Sequence, residues 1–584
     1  MKGQTQDERD RILAIAGNPH NALVEPLKSI KNGFRILQRT YFYDKNKKRS
    51  ANNKKAIAVV IDDKYLSLDE YHNKYTRRGN FRKTINEDKH DNEPQIDIES
   101  CIYQRMLGCI PILYKTAINC KIVENLHTVY GEILGNKILS LAFHWIQERD
   151  NAARRFIRFS STFVLPFLGR MNEEDISKLY SELGFDKKSL SSLFLLRCKL
   201  MPENSCVSYD STSIPTKASD IYYRKISKSK IGLYEPMIHF SILTDNITGI
   251  PFFYSLYNGN EPDCSTIEDL MKKIAEFSGD NKDITFIFDR GYETLENLVV
   301  CLKENKRCIM AARVLNQNII QQAKEKCINF NSSSTIIPGT NIHSHTEEIL
   351  TKYRGNNYKL WVHIYKDDCK AANETARFLK KLEDFEKSWK NSSKSERNKM
   401  RQNSIIQFFK DTDNGSPLFR LTEEIDNKIN EYGFFANIST FETSAEDAYI
   451  KYVNRDSIEK CFESGKMNIN IDTCRSHFQD TMSGRFVIGF VALIILSEIK
   501  YQLSKERAFS DKRRKSIPAH YYTMTDVIDI TRGITINYAQ KSDKYWIGGA
   551  IKEIKNVCLA CGVEEDLYSN IPEYINNIKS IIIN

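Results

Sequence analysis

The sequence predicts an α/β protein, a mixed sheet flanked by helices. Three observations carry that expectation: apolar runs between Ser205 and Arg313 follow the order strand, hairpin, helix, strand, strand; two of those strands end in aspartate; and the turn of the hairpin is built from Asp, Asn and Gly.

The first strand is Cys206–Asp210 (CVSYD), ending in Asp210. Met237–Leu243 (MIHFSIL) and Ile250–Leu256 (IPFFYSL) are joined by Thr244–Gly249 (TDNITG), whose turn formers predict a β-hairpin. Ser265 is placed to cap a helix over Thr266–Phe277. A buried strand, Ile284–Asp289 (ITFIFD), ends in Asp289, and Cys308–Val314 (CIMAARV) predicts another. From about Leu315 to Tyr432 the text turns polar around one strand candidate, Lys359–Tyr365, and a charged low-complexity stretch, Phe385–Ser404, which reads as an insertion with a mobile segment. Gly433–Ser439 returns the chain to the sheet, and a helix from about Ala445 to Asn468 comes next. The most apolar stretch, Phe486–Leu496, lies between charged flanks and falls short of the ~20 residues a bilayer requires, so a buried core helix is expected. Helices finish the chain. The divisions are therefore an N-terminal accessory region 1–204, a core in two parts, 205–314 and 433–505, an insertion 315–432, and a helical C-terminal region 506–584.

At 584 residues the chain exceeds what one core usually serves, and 41% hydrophobic with 27% charged residues excludes a mainly disordered chain. A net charge of +10 with clustered cations, Lys45–Lys55, Arg77–Lys83 and Arg224–Lys230, suits a polyanion. Solvated surface loops remain the competing reading of those clusters. Fourteen cysteines without a framework and a polar N-terminus predict a reducing, intracellular, cytoplasmic setting without a membrane.

Asp210 and Asp289 fall at the carboxyl ends of strands, where open α/β sheets present their sites, although such aspartates also serve simply as turn or cap residues. A third element joins them. Within YVNRDSIEKCFESGK, Tyr452, Arg455, Glu459 and Lys466 fall within about 60° of one another on a continuous helix. Ile458 and Phe462 would pack that helix on the sheet. Phosphoryl transfer with two divalent ions roughly 3.5–4 Å apart needs negative oxygen ligands, and two short Asp side chains with one longer Glu supply them. Arg455 and Lys466 would attract a nucleic-acid backbone.

These residues resemble a known family. Tyr452, Arg455, Glu459 and Lys466 match the Tyr-x2-Arg-x3-Glu-x6-Lys signature of a large group of bacterial insertion-sequence transposases of the DDE superfamily, and Tyr209-Asp210-Ser211-Thr212 and Asp289-Arg290-Gly291-Tyr292 resemble its two Asp blocks. The resemblance spans about Ser205–Lys466. It implies a ribonuclease-H-like core interrupted by a β-rich insertion, a catalytic, metal-binding triad of Asp210, Asp289 and Glu459, and two Mg²⁺ ions for which Mn²⁺ can substitute. It further implies nicking of transposon ends, attack of the freed 3′-hydroxyl on target DNA, excision through a hairpin, and a homodimeric synapse on double-stranded DNA. Arg455 and Lys466 would contact DNA near the cut, with Tyr452 as a lesser partner. A DNA-binding regulator without catalysis and a nuclease on the same fold are the alternatives.

Other signals carry less. No helix-turn-helix pattern is recognised before Ser205. Trp361 or Trp389 could stack on a flipped base, against a core role for either. Cys558-x2-Cys561 lacks a second ligand pair for zinc, His343-x-His345 reads as a surface loop, and no Gly-rich nucleotide-phosphate motif is present, so no nucleotide cofactor is expected.

Overall fold

The computed structural model describes residues 6–17, 22–27, 30, 32–44, 49–68, 70 and 71 of one compact unit, and residues 102–228, 232–278, 283–312, 332–411, 418–513, 522–539, 544–549 and 551–569 of another. The units are Met1–Cys101 and Ile102–Asn584. The division expected at Ser205 therefore moves forward to Ile102, because the helices between them are packed in the same core as the sheet.

In the first unit, helix α1 (Gln6–Ile15) precedes strands β1 (Ala22–Pro26), β2 (Gly33–Asp44), β3 (Arg49–Ile61) and β4 (Lys64–Leu66), which pair in sequence order as an antiparallel meander. Ile12 packs on Val24, Ile36, Ala58 and Val60, so one helix covers one face of the sheet. Of the basic clusters, Arg77–Lys83 and Lys45–Lys48 lie outside the described residues.

The second unit opens with β5 (Ile102–Met106) and six helices: α2 (Ile110–Asn119), α3 (Ile122–Tyr130), α4 (Glu132–Glu148), α5 (Ala153–Thr162), α6 (Glu173–Phe185) and α7 (Lys187–Lys199). The central elements are β6 (Cys206–Pro215), β7 (Lys225–Lys228), β8 (Tyr234–Asp245), β9 (Pro251–Asn258), α8 (Ile267–Ser278), β10 (Thr285–Phe288), α9 (Leu295–Lys303), β11 (Arg307–Ala312), β12 (Ile342–Tyr353) and β13 (Asn356–Asp367). Next come α10 (Asp368–Asn391), α11 (Lys394–Met400), the short pair β14 (Phe409–Lys410) and β15 (Phe419–Arg420), α12 (Thr422–Asn430), β16 (Phe434–Ser439), α13 (Ala445–Asn454) and α14 (Asp456–Ile469). The chain closes with α15 (Gln479–Arg513), α16 (Met524–Thr531), β17 (Thr535–Ala539), β18 (Lys544–Gly548) and α17 (Ile551–Ala560).

The nine-stranded sheet runs β12-β13-β16-β11-β10-β6-β8-β7, with β9 also beside β8. Strands β6, β10 and β11 are parallel and the rest antiparallel, so the mixed sheet expected from the sequence is present, including the hairpin β8–β9. Buried Val207, Tyr209, Phe286 and Phe288 line one face of its central strands and buried Ile287 and Ile309 the other, as strands covered by helices require.

Several expectations are corrected. β6 does not stop at Asp210 but runs to Pro215, because its partner β8 extends to meet it. Ser265 lies inside a 3₁₀ turn, Asp263–Thr266, that leads directly into α8, and its hydroxyl donates to Pro262 O at 2.7 Å instead of capping. The region 315–432 is not a β-rich insertion as a whole. β12 and β13 extend the main sheet, since β13 pairs with β16, and the remainder is mainly helical. The charged stretch Phe385–Ser404 forms the end of α10 and all of α11, because Phe378, Leu382, Phe385 and Trp389 recur at helical spacing and bury against Phe408, Phe409 and Ile425. Ser393 and Glu396 close a capping box at the start of α11. This helical segment leaves and rejoins the sheet at one place, where Asp367 N–H donates to Gly433 O at 3.0 Å.

The C-terminal region is not purely helical either: β17 and β18 form a hairpin that pairs with β5. Helix α15 runs through the core as expected of Phe486–Leu496. Its stretch Gln479–Lys505 is long and apolar enough to cross a bilayer by composition, yet nearly all of the apolar window is buried within the fold. Against α6 the approach is so close that a Cβ on Gly184 would overlap Asp480 O and one on Gly484 would overlap Tyr180 O.

Candidate active site

The parallel register of β6 and β10 ends at Tyr209 opposite Phe288. Asp210 and Asp289 are each the next residue, so one register places both carboxylates side by side at the carboxyl edge of the sheet. The turn after Asp289 is pinned by Tyr292, whose N–H donates to Asp289 O at 3.0 Å and whose buried ring packs on Tyr209 and Phe288.

The signature segment supplies the third carboxylate, with a difference from the single helix expected over Ala445–Asn468. It breaks at Arg455 into α13 and α14. In an unbroken helix Arg455 N–H would bond to Lys451 O. Here Lys451 O accepts from Asn246 Nδ2 at 2.8 Å, and Arg455 N–H turns to Tyr452 O at 3.1 Å. Asn246 is held in turn by Ser208, whose hydroxyl donates to its Oδ1 at 2.5 Å. The β8–β9 turn thus seats the break. Its Gly249, at φ +70°, leaves room for Ser457 O, which a Cβ would meet at 2.8 Å. Buried Ile458 and Phe462 fix α14 on the sheet, Phe462 with its ring 6.3 Å from that of Phe240.

The break aims Arg455 inward. Its guanidinium lies 2.5 Å from Glu459 Oε1, 3.4 Å from Asp210 Oδ2 and 3.9 Å from Asp289 Oδ1. Tyr452 donates its hydroxyl to Asp289 Oδ1 at 3.1 Å and offers its ring to the same guanidinium, 5.5 Å from the centroid. Asp210, Asp289, Tyr452, Arg455 and Glu459 are therefore brought together. Lys466 stands seven residues beyond Glu459 on the same face of α14, about 10.5 Å along the axis, and is half-buried.

Burial pushes the Asp210 carboxyl up to about 7, with Asp289 and Asp263 adding to the rise while the Ser211 N–H and Arg455 oppose it. Burial likewise raises the Tyr452 phenol to about 12, helped by Asp289. Asp263 went unnoticed in the sequence. It accepts from Ser211 Oγ at 2.5 Å, next to Asp210. A signal was present: the second strand of a hairpin on β6 must run parallel to β6, so the residues after that strand emerge on the same edge as Asp210.

The donor set fits divalent hard cations, since one oxygen from each of three carboxylates already converges on a single positive group. Among the described residues no three His, Cys, Asp or Glu side chains stand close enough to hold an ion as placed. Arg455 fills the space between the carboxylates.

The remaining candidates are placed elsewhere. Trp361 lies half-buried on β13 with Lys359 Nζ 5.1 Å from its ring centroid, while Trp389 is buried in the helical segment. His343 and His345 lie on strand β12, not in a surface loop, and His343 is buried, with Nδ1 2.9 Å from Thr335 Oγ1. Cys558 and Cys561 are buried, unpaired thiols at the end of α17.

A family model described as the transposase DDE domain matches residues 202–495. No curated protein matches the chain. A solved structure, the cryo-EM structure of a piggyBac transposase synaptic complex with hairpin DNA, aligns at 10% identity and a TM-score of 0.35, over 72% of this chain and 76% of that one.

Proposed function

Because the chain belongs to the transposase DDE-domain family, and so is an enzyme acting on DNA, we propose that it cleaves the ends of its own transposable element and joins them to target DNA by a cut-and-paste route. The observation that carries this reading is the convergence of Asp210, Asp289 and Glu459, from three separate elements, on one guanidinium.

Asp210, Asp289 and Glu459 would hold two Mg²⁺ ions, with Mn²⁺ able to substitute, and these would supply activation of the attacking oxygen and neutralisation of charge on the leaving one. Tyr452 fixes the orientation of Asp289 through its hydroxyl. Arg455, released from the carboxylates, would contact the phosphate next to the scissile bond, and Lys466 a phosphate further along α14. The order of three antiparallel strands followed by two parallel ones supports a ribonuclease-H-like core in two parts, 205–314 and 433–505. The spacing of Tyr452, Arg455, Glu459 and Lys466 supports the bacterial insertion-sequence group, and with it a homodimeric synapse on double-stranded DNA in the bacterial cytoplasm.

The test is a cleavage and strand-transfer assay in Mg²⁺ on DNA carrying the sequences that flank the gene. Nicked and joined products from wild type, absent from Glu459→Gln, are the expected result. Nicks without joined products would favour a nuclease, and binding without either product a regulator.

A further inference from the structure

We propose that the two-stranded ribbon formed by β7 and the start of β8 is a DNA-docking element that seats duplex DNA in the active site. The inference deepens the transposase reading and rests on it for the identity of the partner.

The ribbon is set apart by its exposure. The ladder between β6 and β8 ends at Pro215 opposite Met237, with one further bond from Thr216 N–H to Pro236 O. The rungs beyond, Ser227 opposite Glu235 and Lys228 opposite Tyr234, pair only with each other among the described residues. Here Ile226 is 66% exposed and Tyr234 75% exposed, and Lys225 and Lys228 are exposed too. An edge ribbon that shows large apolar side chains to water invites a partner.

Its chemistry selects the partner. Side chains alternate across a strand, so Ile226, Lys228 and Tyr234 share one face while Lys225 lies on the other. One face carries a cation with an aromatic and an aliphatic group, and the other a cation beside the half-buried Glu235. Protein interfaces are depleted in lysine, whereas the major groove of B-DNA admits a two-stranded ribbon, and cations on both faces can reach the phosphates on its two walls. The net charge of +10 points the same way.

Its position fits the site. The ribbon continues beyond the carboxyl end of β6, the edge that carries Asp210. Five residues separate Asp210 from the ribbon's root at Pro215, about 17 Å of strand, which a duplex aligned with β6 would span in about five base pairs. A duplex held in the ribbon would lie with its backbone at the carboxylates roughly half a helical turn away.

The experiment measures binding of full-length protein to a fluorescent random-sequence duplex of about 30 base pairs, three helical turns, across a salt series. Lys225→Ala with Lys228→Ala is expected to reduce the slope of log K against log salt by about 1.8 and to weaken binding about 30-fold at 0.15 M salt. Lys225→Arg with Lys228→Arg should restore both, which a folding defect would not. Tyr234→Ser with Ile226→Ser should weaken binding with the slope unchanged. Wild-type affinity and slope in the Lys→Ala pair would overturn the proposal while leaving the transposase reading in place. A smaller sedimenting species in the Tyr234→Ser, Ile226→Ser pair with DNA binding unchanged would assign the face to a second copy of the chain. Failure of wild type to bind the duplex at all would count against the transposase reading itself.

Discussion

Replacing Arg455 by Met removes a cation that three carboxylates share, and the cost depends on their exposure. Arg455 is 10% exposed, Asp210 20%, Asp289 38% and Glu459 55%. Breaking a buried ion pair from one side costs about 3–5 kcal/mol, and water screens Glu459 and much of Asp289, so the lower end, about 3 kcal/mol, applies. For a unit the size of Ile102–Asn584 the unfolding entropy is about 1 kcal/mol/K, so the melting midpoint in chelator falls by about 3 °C. Divalent cations should reverse the order of response. The freed carboxylates no longer compete with an internal cation, so Mg²⁺ or Mn²⁺ is expected to raise the midpoint of Arg455→Met more than that of wild type. Differential scanning calorimetry with and without Mn²⁺ measures both quantities. Equal stability in chelator, or a smaller metal response in the variant, would refute the view that Arg455 occupies the space the metals need.

Further expectations concern charge and packing. Asp210→Asn, Asp289→Asn and Glu459→Gln should each abolish cleavage while retaining DNA binding, as gel assays of both would report; full activity in any one removes that residue from the site. The Asp210 carboxyl, raised to about 7 from an ordinary 3.8, gives the metal-free fold an advantage that is fully present below pH 3.8 and lost as pH rises through 7, at most about 4 kcal/mol at 1.36 kcal/mol per pH unit. Urea titrations in chelator should therefore show Asp210→Asn gaining on wild type across that interval, and parallel curves would contradict the assignment. His144, enclosed between Phe156 and Phe159, is held down to about 3 by burial. Its contribution is present above pH 6.5 and lost as pH falls toward 3, with a slope approaching about 1.4 kcal/mol per pH unit that His144→Leu should flatten. Gly484→Ala should loosen α15 from α6 and cost several kcal/mol, roughly the scale of an overpacked core, and an unchanged midpoint would show that the helices can part without penalty.

The site was more legible in the sequence than the architecture around it. Asp210 and Asp289 could be placed because each directly follows a short apolar run, although β6 continues past Asp210. The break at Arg455 could not be seen, since it depends on Asn246, about two hundred residues away in the chain, taking the carbonyl of Lys451. The same limit hid the true extent of β6, which is set by the length of β8. Phe385–Ser404 was misread because charge on the outer face of a helix outweighed the sparse Phe385 and Trp389 on its inner face. The hairpin β17–β18 escaped because its pairing partner, β5, lies at the opposite end of the unit.

The meeting of Asp367 and Gly433 has a consequence for how such a molecule is assembled. Two residues already joined by a backbone hydrogen bond are as close as the ends of an ordinary hairpin, so the described helical module between them leaves and rejoins the sheet at adjacent points. An Asn-Gly turn could replace it without lengthening or shortening either strand. The module has its own buried cluster around Phe385 and Trp389, so its removal or exchange is expected to leave the register of the edge that carries Asp210 and Asp289 unchanged.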